Sequence, residues 1–177
     1  KVLNSLESVS GEAKSYLVKK TTKDGRIDNA LLEKYQYEGH GFAWFETYRI
    51  SLRETLNWYK SLKDINKSSK LESGILIFAF SEYLIQMRNG IMMSQTEVVR
   101  PSILGISQES FSFYESPDVA NLIKIGSSDS VKDEIVSSLE NGIFPNLGLN
   151  DETLEMIQDQ FKKFTDEEII PEANEWH

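Results

Sequence analysis

His40 is the residue whose surroundings most suggest chemistry, because it sits between Gly39 and Gly41 in the middle of a helical pattern. Each glycine inside a helix costs about 1 kcal/mol relative to alanine, so something must offset the pair. Either the glycines expose His40 as a ligand or proton carrier, or they let another helix backbone approach, with His40 hydrogen-bonded at the crossing. No second His, Cys or clustered carboxylate is placed to join it, which favours the structural alternative. Asp166, Glu167, Glu168, Glu172 and Glu175 form an acidic run that could hold a cation. A di-metal carboxylate bundle needs paired Glu-x-x-His motifs, and Glu175-Trp176-His177 is not one, so the run reads as a solvated helix face. Trp44, Trp58, Phe78 and Phe80 could stack on a planar ligand, but their spacing is that of a core. Asn66-Lys67-Ser68 is formally a glycosylation acceptor; with no secretion signal it is taken as chance. The chain has no phosphate-cradling glycine loop and no nucleophile elbow. No catalytic, cofactor-binding or metal-binding residue is assigned.

The elements that must carry these residues are helices. From Asn29 to Ile65 the apolar residues Leu31, Tyr35, Phe42, Phe45, Leu52, Leu56 and Tyr59 recur at helical spacing, and Leu32, Trp44, Tyr48 and Leu62 widen the stripe. Asp28 is its expected N-cap, after the turn signal Lys23-Asp24-Gly25, while Lys60 and Lys63 suit the negative end of the helix dipole. Such a helix spans roughly 50 Å and requires partners along its length, so the rest of the chain is expected to pack around it. Residues 2–20 form a preceding helix that could bend at Ser10-Gly11. Ser69-Lys70-Leu71-Glu72 is a capping box, opening a helix that is apolar on almost every side and closed by Asn89-Gly90 in the left-handed cap manner. Ser94-Gln95-Thr96-Glu97 suggests at most one short helix within the connection that follows. Residues 108–114 can be read as a helical turn or an extended piece. Ser116-Pro117 starts a short helix ending at Gly126, Ser127-Ser128-Asp129 starts another ending at Asn141-Gly142, and a last helix begins at Asn150 or Asp151 and is stopped or kinked by Pro171. No alternation typical of strands bounded by hairpin turns is apparent. The expected class is all-α, a four-helix-type bundle with additional short helices built around one long helix at about 29–65.

Composition narrows the function. The 177 residues are 40% hydrophobic and 27% charged, enough for one real core and a small appendage. Without cysteine there are no disulfides or thiolate metal sites, which fits a reducing, cytoplasmic setting. A net charge of −9 with no dense Lys/Arg run disfavours nucleic acid. The apolar run from Ile75 to Phe80 is far too short to cross a bilayer. The first residues lack an initiating Met and an apolar leader, so the chain reads as trimmed from something longer.

Two stretches resemble a known family. DETLEMIQDQFKKFTDEEIIPEANEWH resembles the opening helix of the acyl-CoA dehydrogenase family, with Glu167, Glu168, Ile169, Pro171, Ala173, Glu175 and Trp176 matching its acidic Glu-Glu-Ile-x-Pro-x-Ala-x-Glu-Trp segment. HGFAWFETYRISLRETLNW and FSEYLIQMRNGIMMSQTEVVRP resemble the helical N-terminal extension of its methylsuccinyl-CoA dehydrogenase-like subgroup. The resemblance implies a parent flavoenzyme in which a base removes the α-proton of an acyl-CoA while FAD accepts the β-hydride. It assigns residues 1–148 to the extension and 149–177 to the first helix of a truncated enzyme domain. The flavin-binding and catalytic regions would lie outside this chain, so none of their residues maps onto it, and the fragment is expected to be catalytically silent. Its expected partners are the remainder of its own polypeptide and further copies in a homo-oligomer; acyl-CoA and FAD belong to the parent. The competing reading is a self-contained helical protein–protein interaction module, and a third is a ligand- or metal-binding bundle centred on His40.

Overall fold

The computed structural model describes residues 1–149 and 151–176. The chain forms two compact units, Lys1–Phe144 and Pro145–His177. The first holds α1 (Val2–Thr21), α2 (Asn29–Lys34), α3 (Gln36–Asp64), α4 (Lys70–Asn89), α5 (Pro117–Gly126) and α6 (Asp129–Glu140), with 3-10 segments at Pro101–Leu104 and Glu109–Glu115. The second holds α7 (Glu152–Phe164), continued by a π-helical turn at Thr165–Ile169. The all-α expectation holds, with local corrections.

Two small antiparallel ribbons depart from a purely helical reading. Strand β1 (Thr22–Lys23) pairs with β2 (Arg26–Ile27), and β3 (Ile91–Met92) pairs with β4 (Val98–Val99). The first is closed by Asp24 and Gly25, both at positive φ (52° and 74°). That is the Asp-Gly signature of a two-residue hairpin, more than the turn expected there from the sequence. The second spans the residues that resemble a capping box. There Ser94 Oγ accepts from the amide of Thr96 and donates to Glu97 inside the hairpin loop, and the short helix of this connection comes later, at Pro101–Leu104. Residues 109–115 settle as a 3-10 helix.

The expected helix at 29–65 exists with a hitch at Tyr35, which separates α2 from α3. Asp28 caps α2 by accepting from Leu31 N–H at 3.0 Å. At the hitch, Lys20 from the end of α1 lies over the Tyr16 and Tyr35 rings (4.6 and 4.7 Å) and 3.6 Å from Glu38. Helix α1 runs unbroken through Gly11, because Ser10 is buried and its hydroxyl donates to Glu46 of α3. The capping box of α4 is formed, with the Glu72 carboxylate, itself buried, accepting from Ser69 N–H at 2.7 Å. At the other end of α4, Gly90 adopts φ 135°, ψ 130°, so the expected left-handed cap is replaced by an extended exit into β3. Helix α7 is capped by Asp151, whose side chain accepts from the Thr153 and Leu154 amides. Asn150, the alternative start, lies outside the described residues, and α7 ends before Pro171.

The hub of the first unit is α4 rather than the longer α3. Helix α4 packs on α3 along one side and on α5 and α6 along others, as its almost circumferentially apolar sequence requires. Its Leu84 and Met87 meet Leu6, Val9 and Ala13 of α1 and Phe45 and Leu52 of α3 in one core, extended by Ile91, Val99, Leu104, Phe111, Tyr114 and Val119. Burying each such aliphatic side chain contributes about 1.5–3 kcal/mol before the entropy of ordering it.

The crossing of α4 and α5 is close. Ser81 is fully buried, and its hydroxyl bonds the Ile123 carbonyl (2.9 Å) and Ser127 Oγ (2.7 Å). A methyl group on Gly126 would lie 2.5 Å from the Ile77 carbonyl oxygen and 2.5 Å from Ser81 Cβ. Gly126→Ala is therefore expected to destabilise the protein by about 1–3 kcal/mol, since backbone must move to admit the methyl. Urea denaturation of the variant measures this, and an unshifted midpoint would mean the crossing is looser than described.

Candidate functional site

The Gly39-His40-Gly41 segment lies in the first turns of α3, where the β3–β4 ribbon docks. Tyr37 Oη donates to the Val98 carbonyl at 3.1 Å, and a Cβ on Gly41 would collide with Cγ2 of Val99. Val99 is buried. Gly41 thus admits a valine side chain from a ribbon, not the expected helix backbone. Gly39 faces open space, and a methyl group placed there would have no neighbour within 4 Å; the structure offers no packing reason for this glycine. His40 is exposed, and its Nε2 accepts from the Trp44 indole N–H one turn further along, at 3.0 Å. Its partner is therefore on its own helix.

Trp44 in turn stands edge-on to Tyr48, which stacks on Tyr83 of α4 at 4.2 Å and donates to Gln86 Oε1 at 2.8 Å. Phe80 is core, while Trp44, Trp58 and Phe78 are half-buried. The Trp44–Tyr48–Tyr83 series joins α3 to α4. Asn66 is an exposed residue at positive φ (56°) in the α3–α4 reversal.

In the second unit the acidic run is exposed throughout. Asp166 pairs with Lys162 and Glu167 with Lys163, both at i,i+4 on one helical face. His177 lies outside the described residues. Among the described residues no group of three or more His, Asp or Glu side chains is arranged to hold a metal ion.

Two ionisable clusters have no signal in the sequence because their members come from different elements. Glu12 of α1 accepts from the Ser107 amide at 2.9 Å and from the Ser110 hydroxyl, tying down the start of the Glu109–Glu115 segment. Glu46 accepts from Ser10 of α1 and is gripped bidentately by Arg49 (2.9 and 2.8 Å). Burial penalises the Glu46 carboxylate, but hydrogen bonds from Arg49 and Ser10 and the charges of Arg49 and Arg53 outweigh it, holding its pKa below the usual glutamate value. Tyr114 is likewise buried, which pushes its phenol well above its ordinary range, and its hydroxyl donates to the Leu84 carbonyl at 2.8 Å.

A cleft of about 460 Å³ opens in the first unit where the end of α4 meets the two 3-10 segments, with Arg88, Arg100 and Glu115 among its lining residues. Among the described residues no helix is long and apolar enough to cross a membrane.

Two outcomes follow from this packing. Gly41→Ala should destabilise by about 1–3 kcal/mol, because the β-branched Val99 cannot swing aside, whereas Gly39→Ala should stabilise by up to about 1 kcal/mol; opposite shifts in the denaturation midpoint check the pair. Because the folded Glu46 pKa is depressed, its stabilisation is complete above the unfolded carboxylate value of about 4.3 and is lost as pH falls through the lower folded value. The melting-temperature gap between the parent chain and Glu46→Gln should therefore be widest near pH 7 and narrow below about pH 4.

No family model matches the chain. A curated relative does: (2S)-methylsuccinyl-CoA dehydrogenase of Cereibacter sphaeroides is 36% identical over 179 residues, which is 99% of this chain and 32% of that protein. The chain spans about a third of the length of that relative. The resemblance carried by the α3, α4 and C-terminal stretches therefore extends over nearly every residue, and the chain is similar, almost end to end, to one section of a methylsuccinyl-CoA dehydrogenase of the acyl-CoA dehydrogenase family.

Proposed function

We propose that this chain is the non-catalytic N-terminal helical portion of an FAD-dependent acyl-CoA dehydrogenase, with residues 1–148 acting as a packing and oligomerisation module and residues 149–177 opening the first enzyme domain. The observation that supports it is the 36% identity to a methylsuccinyl-CoA dehydrogenase across 99% of the chain. The residues present do not fit a flavin. The chain lacks a glycine-rich phosphate loop, and the cleft at the end of α4, at about 460 Å³, is too small to enclose a flavin dinucleotide. No step of the dehydrogenation is therefore derived from these side chains; flavin, acyl-CoA and the catalytic base belong to the parent polypeptide, in the cytoplasm.

The second unit favours a role in docking to the rest of that polypeptide. Leu154, Ile157, Phe161 and Phe164 recur at three- and four-residue intervals on α7 and are all exposed, Phe161 to 69%. An isolated helix of 13 residues is marginal in water, so this face gains stability only when another surface covers it.

In the parent enzyme, residues 1–148 would cover surface that related tetramers bury between subunits, leaving a dimer. Producing the longer polypeptide with and without residues 1–145 tests both parts. The expected result is that both forms bind flavin, seen as yellow absorbance, and that removal converts dimer to tetramer on sizing. An unchanged oligomer would sink the packing role, and a longer polypeptide that never binds flavin would sink the enzyme reading.

A further inference from the structure

We propose that the cleft at the C-terminal end of α4 binds a small phosphate monoester carried on a short apolar body. The chain has a net charge of −9, yet the lining of this cleft carries two cations, Arg88 and Arg100, against one anion, Glu115. Each guanidinium has one hydrogen-bond partner within the protein. Arg100 Nη1 donates to the Asn89 carbonyl at 2.7 Å, while Arg88 sits 5.2 Å over the Tyr114 ring and donates to Glu115 at 2.7 Å.

A guanidinium offers five N–H donors in a planar fork. One bond each within the protein leaves most of that capacity facing outward, and the Arg88 side chain is 45% exposed. The side chains of Ser102 and Ser112, which also line the cleft, make no hydrogen bond among the described residues. Ile106 and Phe111, both nearly fully buried, supply the apolar part of the lining.

This combination selects the ligand. Two forked cations match the oxygens of a phosphate better than a point charge would. Glu115 already supplies one carboxylate to Arg88, so a dianion competes with it where another carboxylate would only substitute for it. The apolar part of the lining favours an ester with a small body over inorganic phosphate, and at about 460 Å³ the cleft is in the range of small-molecule sites.

The 177-residue chain can be titrated with phenyl phosphate, with inorganic phosphate, benzoate and phenol as separate arms, while amide NMR shifts are followed. The expected result is saturable binding of phenyl phosphate by about 10 mM, with shifts confined to residues 88–115, and weaker binding of the other three. Arg88→Gln and Arg100→Gln should each weaken it about tenfold. Glu115→Gln should tighten it severalfold by releasing Arg88, a gain that misfolding cannot produce. Absence of saturation, shifts that survive the Arg88→Gln/Arg100→Gln double variant, or benzoate binding as tightly as phenyl phosphate would each overturn the proposal.

Discussion

Helix α4 is apolar around most of its circumference, and water must be kept from nearly all of it at once. One neighbour covers only one side of a helix, so α3, α5 and α6 are each required. The remaining architecture follows from how those neighbours are brought close enough. The α4–α5 contact is gained by omitting a side chain at Gly126 and by turning the buried Ser81 hydroxyl onto the Ile123 carbonyl. Polar groups brought into this core are answered there: Glu72 by the capping box, Tyr114 by the Leu84 carbonyl, Ser10 by Glu46. Among the described residues, no buried side-chain nitrogen or oxygen lacks a partner.

The residues that looked most reactive are engaged by neighbouring side chains. The glycine beside His40 that matters, Gly41, is offset by the burial of Val99, and the imidazole itself is occupied by the Trp44 indole one turn along the same helix. Large aromatics on α3 and α4 find one another across the helix pair, and edge-on or stacked packing between two helices leaves their faces covered.

The two units stand in contrast. The first supplies its own core, with side chains such as Leu6, Leu52 and Leu84 wholly excluded from solvent. The second carries an apolar stripe of equal regularity whose members are exposed. Periodicity is the same physical signal in both. Whether it ends in burial depends on what surface is offered to it.

Much of the helical framework was legible from residue order because its determinants are local. Ser69 and Glu72 satisfy each other within one turn, Asp28 and Asp151 cap the amides that follow them, and Ser116-Pro117 begins α5 where a proline at the first helical position costs nothing. The Asp24-Gly25 hairpin is equally local, but its dipeptide reads only as a turn because the paired strands are two residues long. The hitch at Tyr35, the ribbon seated on Gly41, the Glu46 and Glu12 clusters and the arginine-lined cleft were not legible, since each joins residues that sequence spacing does not relate. Residue order by itself determined that the chain is helical, where N-caps such as Asp28, Ser69, Ser116 and Asp151 lie and which faces are apolar, because hydrogen bonds and periodicity within a few residues decide those. Only the tertiary structure decided which helix is enclosed, which glycine makes room and which charges meet, because those depend on distances between elements that the chain brings together after it folds.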